Sequence, residues 1–213
     1  MTTTHVEYGW SSAGPQGSHE YLLPAALDEV ARAAAGRPLR ILDLGCGSGY
    51  VAAELARRGH EVVGVDVSED GIRLARDTYG AELPGLRFHV CSVYDDDFAG
   101  RVGGAVDCVL SLEVVEHLYL PRALFAQARR LLRPGGALIV STPYHGYLKN
   151  LAISLAGGWD RHFGVDWDGG HVKFFSPATL RRMAAEAGFG DVRFRGIGRA
   201  PLLWKSTMMT ARA

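Results

Sequence analysis

Residues 39 to 52, Leu-Arg-Ile-Leu-Asp-Leu-Gly-Cys-Gly-Ser-Gly-Tyr-Val-Ala, constrain the fold more than any other stretch of the chain. Ile41, Leu42 and Leu44 make the short apolar run of a buried parallel strand. Gly45, Gly47 and Gly49 follow at alternate positions before a helical pattern resumes, so the stretch reads as a strand, a tight turn and a helix start. A turn without Cβ atoms lets the backbone approach a ligand closely, and in an open α/β sheet that ligand lies at the carboxyl end of the strand.

The three glycines make G-x-G-x-G, whereas the dinucleotide fingerprint is G-x-G-x-x-G. Glu61-Val-Val-Gly-Val-Asp66 is a second apolar strand ending in a carboxylate, about twenty residues on, where such folds bind ribose hydroxyls. Together the two stretches define a nucleoside site. Asp43-Leu-Gly-Cys-Gly-Ser-Gly49 with Asp66 resembles the first two motifs of the class I S-adenosylmethionine-dependent methyltransferases. Leu112-Glu-Val-Val-Glu-His-Leu118 resembles the segment after the fourth strand of that fold, and Leu131-Leu-Arg-Pro-Gly-Gly-Ala-Leu-Ile-Val140 the turn into its fifth. In motif the resemblance is closest to the ubiquinone-biosynthesis O-methyltransferase-like branch. It implies a Rossmann-like α/β fold: a seven-stranded sheet, mostly parallel with one antiparallel strand, and helices on both faces.

Local patterns lead toward the same architecture. Residues 1–17 read as an irregular arm carrying Tyr8 and Trp10 that could fold over a cofactor. A helix begins at Ser18 with Leu22, Leu23, Ala26, Leu27 and Val30 along one face. Strands are expected at 39–44, to Asp66, at 86–91, 106–111 and 137–142. Helices are expected from the glycine turn to about Arg58, from an N-cap at Ser68 to about Tyr79, and from Pro121 to a stop at Pro134-Gly-Gly136. Strands alternating with helices imply a parallel sheet. After a helix at 176–187 come two strand-like runs, 191–197 and about 203–210, joined so briefly that they must be antiparallel.

Residues 143–175 are too long for an ordinary connection and hold seven aromatic residues, with Leu148, Leu151, Ala152 and Leu155 at helical spacing. They read as a lid-like insertion over the substrate pocket of a single domain spanning 1–213. The 23 basic and 23 acidic residues give zero formal net charge. That disfavours a nucleic-acid partner, which needs a basic stripe, and leaves a small-molecule acceptor. Cys46, Cys91 and Cys108 read as core residues in a reducing compartment. No apolar run reaches the roughly 18 residues of a membrane span, so a cytoplasmic location is expected. Oligomeric state stays open.

The family resemblance assigns cofactor residues position by position. Gly45 and Gly47 approach the methionine portion of S-adenosylmethionine, Asp43 orients its ammonium through water, Asp66 takes both ribose hydroxyls, and Leu112 sits against the methionine end. The third strand usually ends in an acid at the adenine edge; here Ser92 and Val93 stand there, so a hydroxyl or a backbone amide would serve. In Glu113-Val-Val-Glu-His117 a helical turn would put both acids and the imidazole on one face. This mixed O/N set suits Mg²⁺, Mn²⁺, Fe²⁺ or Zn²⁺, with His171 as a fourth ligand. The set resembles two metal-using branches of the superfamily, the ubiquinone O-methyltransferases and the small-RNA terminal 2′-O-methyltransferases. Without metal, His117 or His145 is the candidate base, while His5, His60, His89 and His162 lack a converging partner. The reading is O-methylation of a small-molecule hydroxyl. Its rivals are metal-free N- or C-methylation, RNA 2′-O-methylation, and a non-catalytic cofactor-binding protein.

Overall fold

A computed structural model describes residues 9–164 and 166–213. The first eight residues of the arm, with His5 and Tyr8, lie outside them. The chain runs α1 (His19–Ala34), β1 (Arg40–Leu44), α2 (Tyr50–Ala56), β2 (Glu61–Asp66), α3 (Glu69–Tyr79), β3 (Leu86–Val90), α4 (Phe98–Val102) and β4 (Val106–Leu112). A 3-10 turn (Val115–His117) precedes α5 (Arg122–Leu131), β5 (Leu132–Pro143), α6 (Tyr147–Leu155), α7 (Trp159–Phe163), α8 (Pro177–Glu186), β6 (Gly190–Ile197) and β7 (Ser206–Arg212).

The seven strands form one sheet in the order β3-β2-β1-β4-β5-β7-β6. The pairs among β1 to β5 are parallel, and β7 runs antiparallel to both neighbours, so it alone is reversed. The strand order turns back at β1 and β4, whose carboxyl ends therefore flank a crevice. Alternate residues on each central strand face opposite layers. Ile41, Cys108, Leu110, Ala137, Ile139 and Met208 pack against α1, α2 and α3. Leu42, Val109, Leu138, Val140 and Met209 pack against α4, α5 and α8. All three cysteines are free, two of them buried in the sheet region.

Several boundaries move for identifiable reasons. β5 starts at Leu132, five residues before the expected Ala137, because the extended Pro-Gly-Gly segment is tied to the chain's end: the Gly135 amide donates to Ala213 O at 2.9 Å. β7 starts at Ser206 rather than near Leu203, since 198–205 make the turn and the Lys205 amide closes it on Ile197 O at 2.9 Å. Ser68 caps α3 as expected, its hydroxyl accepting from the Gly71 amide at 3.0 Å. Ser176 caps α8 in a reciprocal box with Thr179. The short α4 gave no periodic signal, having only five residues.

Candidate active site

The glycine turn and the end of β2 are joined through Asp66. Its two carboxylate oxygens accept the Gly47 amide at 2.8 Å and the Ser68 amide at 2.9 Å. These bonds fix the side chain beside the glycine turn. Asp43, inside β1, is buried, and its Oδ2 has no hydrogen-bond partner; Ser48 Oγ in the glycine turn is in the same condition. Burial, with the neighbouring Asp66 charge, raises the Asp43 carboxyl to about 7. A buried acid with an unpartnered oxygen beside a backbone cradle fits a cationic, nucleoside-bearing ligand such as S-adenosylmethionine.

At the end of β3 the Ser92 amide donates to Asp95 Oδ2 at 2.9 Å, and its hydroxyl accepts the Tyr94 amide at 3.2 Å. The Ser92 hydroxyl thus accepts one bond within a local turn and still has its proton to donate, and Val93 is buried beside it. Leu112 closes β4 opposite Ser141, half-buried against the layer of α1 to α3.

The acid-rich segment departs from the single helical turn expected for 113–117. Glu113 has φ 55, in the left-handed region, and only Val115–His117 is helical. The flip turns the Glu113 carboxylate toward the strands, where Oε1 accepts Ser141 Oγ at 2.7 Å and Oε2 accepts Ser206 Oγ at 3.2 Å. Of the four expected metal ligands, Glu116, His117 and His171 converge, with ligand atoms all within 4.8 Å of one another, and Glu113 stands apart on its hydroxyl clamp. Burial raises Glu113 to about 7, opposed by those two hydrogen bonds and by the Lys149 charge.

His171 reaches Glu116 because the chain is stitched there. The Val172 and Lys173 amides both donate to Glu116 O, at 2.9 and 3.1 Å. The Glu116 side chain is buried, and neither carboxylate oxygen makes a hydrogen bond of good geometry. Burial first, then the Glu113 charge, push its carboxyl well above the usual range, so the ionised form is disfavoured unless a positive charge meets it. His117 Nδ1 lies 2.8 Å from Gly169 O, which can only accept, so this nitrogen donates and the bond orients the ring. Burial lowers His117, opposed by its hydrogen bonds to the Gly169 and Gly170 carbonyls, and burial lowers His171 to about 4; both shifts favour the neutral imidazole that a metal ligand needs. The Trp167 ring flanks the pair, 6.0 Å from His117 and 6.4 Å from His171.

His145 has a different setting. Its ring stacks on Phe163 at 5.6 Å and meets Phe174 edge-on at 4.8 Å, with His162 at 6.1 Å. Burial, then the charges of Lys149, His162 and His171, lower it to about 4, which is a weak base. His162, given no role from sequence, belongs to this wall. Ser141 and Ser206 were also missed; the available signal was hydroxyl residues inside otherwise apolar strands, while Trp167 belongs to the aromatic set expected in 143–175.

With this geometry in view, comparison with known proteins decides the family. A model of the methyltransferase domain matches residues 18–193. The chain belongs to the methyltransferase-domain family. It is an S-adenosylmethionine-dependent methyltransferase. A ubiquinone biosynthesis O-methyltransferase of Ruegeria pomeroyi is 32% identical over 213 aligned positions, covering 92% of this chain and 83% of that protein. One of Cereibacter sphaeroides is 34% identical over 171, covering 78% of this chain and 66% of that protein, just under two thirds of its length. The methyltransferase's fold is shared with magnesium protoporphyrin IX methyltransferase from Synechocystis PCC 6803 with bound SAH, at TM-score 0.68 and 20% identity over 90% of this chain and 81% of that one. It is shared equally with a SAM-dependent methyltransferase from Archaeoglobus fulgidus, at TM-score 0.67 and 19% identity over 92% and 95%.

Proposed function

We propose that this methyltransferase methylates a hydroxyl oxygen of a small, ring-bearing acceptor, assisted by a divalent cation held by Glu116, His117 and His171. One observation carries the reading: three ligand atoms lie within 4.8 Å of one another, and one belongs to a buried carboxylate neither of whose oxygens has a hydrogen bond of good geometry. A buried acid in that condition is costly unless a positive charge meets it. The relatives named ubiquinone biosynthesis O-methyltransferase support oxygen as the methylated atom.

When bound, S-adenosylmethionine supplies an electrophilic methyl group on a sulfonium, and a divalent cation supplies the charge that acidifies a hydroxyl. The chain's part is to bind and align. Gly45 and Gly47 form the cradle, Asp43 faces the ammonium and Asp66 the ribose. The walls of His145, Phe163 and Phe174 would exclude water and orient a ring. A phenol has a pKa near 10, so its anion costs about 4 kcal/mol to form at neutral pH. Passing that proton to His145, at about 4, would be uphill by roughly 8 kcal/mol, six units at 1.36 each. A cation site is therefore the better means of activation, and His145 serves as wall rather than base.

The test is elemental analysis and metal titration of the purified protein beside Glu116→Ala and His171→Ala, with SAH binding measured in each. The expected result is near one divalent ion per chain, lost in both variants while SAH binding survives. If the wild type takes up no ion under any condition, the cation part of the proposal fails and acceptors that need no metal become the search.

A further inference from the structure

Residues 9–17 would be an ordinary terminal tail but for the way they dock. Ala13 is buried, and its carbonyl accepts the Tyr79 hydroxyl at 2.5 Å, tying the segment to the last residue of α3. The Gln16 amide donates to His19 Nδ1 at 3.0 Å, and the His19 ring stacks on Tyr50, the first residue of α2, with centroids 5.3 Å apart. Ahead of these anchors the Trp10 indole lies against the glycine turn. A Cβ placed on Gly47 would fall 2.4 Å from indole Cζ2, and one placed on Gly71 2.9 Å from indole Cδ1.

Gly47, with φ 52, stands in the left-handed region that favours glycine. Gly71 stands in the first turn of α3 without a positive φ, so its backbone conformation is open to any residue. What excludes a side chain there is the indole edge together with the Gly47 carbonyl at 3.1 Å. The two glycines thus form a seat for Trp10 that the nucleoside motif does not itself require at Gly71. Asp66 belongs to the same floor, holding the Gly47 and Ser68 amides.

We propose that Trp10 roofs the cofactor pocket, and that residues 9–17 are a strap holding S-adenosylmethionine against Gly47 and Asp66. This rests on the assignment of those two residues to the cofactor. Gly47 is assigned to the methionine side and Asp66 to the ribose, and the sulfonium joins these two parts of the molecule. An indole on Gly47 excludes water from the glycine turn, which strengthens the hydrogen bond from the Gly47 amide to Asp66. Its π face also favours a neighbouring positive charge. Trp10 acts by packing and is a positioning residue for the cofactor.

Calorimetric titration of SAH into the wild type, Trp10→Ala, Trp10→Phe and Asp66→Ala tests this, with thermal unfolding of each ligand-free protein alongside. Trp10→Ala is expected to weaken SAH about tenfold, as loss of a buried aromatic anchor does. Trp10→Phe should recover most of that loss, and the ligand-free melting temperatures should stay close together. SAH should also shift the tryptophan emission of the wild type and leave that of Trp10→Phe much less changed. If Trp10→Ala binds SAH as the wild type does while Asp66→Ala fails, the roof is overturned and the cofactor site stands. If Asp66→Ala binds undiminished, the site assignment falls and the roof with it. Tighter binding by Trp10→Ala would make the indole a plug and would equally overturn the proposal.

Discussion

Asp43 shows how one buried side chain couples ligand affinity to stability. Its carboxyl titrates at about 7 in the fold against an ordinary 3.8. For an acid with a raised pKa the folded state binds the extra proton, so the contribution to stability is full below about pH 4. It falls as pH rises and is lost above about pH 7, a decline of roughly 4 kcal/mol for three units. Ligand affinity should have the opposite slope, because only the ionised carboxylate attracts an ammonium. Between pH 6 and pH 8 the ionised fraction rises about tenfold, and SAH should bind about tenfold more tightly at the upper end. Calorimetry of Asp43→Asn should show that slope removed and the ligand-free protein less sensitive to pH over the same range. A wild type whose SAH affinity ignored pH would mean that Asp43 does not face the ammonium.

The elements around the site divide into a rigid set and a loose one. The helix α8 begins with a reciprocal Ser176–Thr179 cap immediately after the segment that brings in His171. Ser176→Ala should therefore lower stability by about 1 kcal/mol in denaturant titration and leave the α/β fold unchanged by circular dichroism. The insertion helices have no such anchoring: neither α6 nor α7 buries a residue, with Tyr147 at 78% and Leu155 at 81% exposure. Their polar ties are few, chiefly Lys149 Nζ to Tyr144 O at 2.8 Å and, between the two helices, Trp159 Nε1 to Ser154 Oγ at 3.0 Å, and the Phe163 ring packs on His145 and Phe174. Local opening is governed by buried contact, so amides of 147–163 should exchange hydrogen orders of magnitude faster than those of α5 and α8. Equal protection across all four helices would contradict a lid that opens.

At the scale of the whole molecule, the sheet was legible because each strand's apolar alternation is local, and parallel order follows from strands separated by helices. The reversed β7 was legible from a connection too short for a crossover. The site was legible only in part. Glu113 leaves the ligand set through a left-handed φ and two hydroxyls, Ser141 and Ser206, supplied by strands far along the chain. The seat of Trp10 needs residues 10, 47 and 71 together, and no local pattern records such a triple. These long-range ties all rest on one sheet with an apolar layer on each side, and the layers share every central strand. The two faces should accordingly unfold together. Leu110→Ala on one face and Leu138→Ala on the other should each cost about 2 to 5 kcal/mol, since both side chains are fully buried. Both variants should still melt in one transition, and SAH at a hundredfold excess over its dissociation constant should restore about 2.7 kcal/mol to either, as to the wild type. A second transition in Leu138→Ala, with SAH stabilising only one of the two, would show that the layer of α4, α5 and α8 can come away from a cofactor site held by the other.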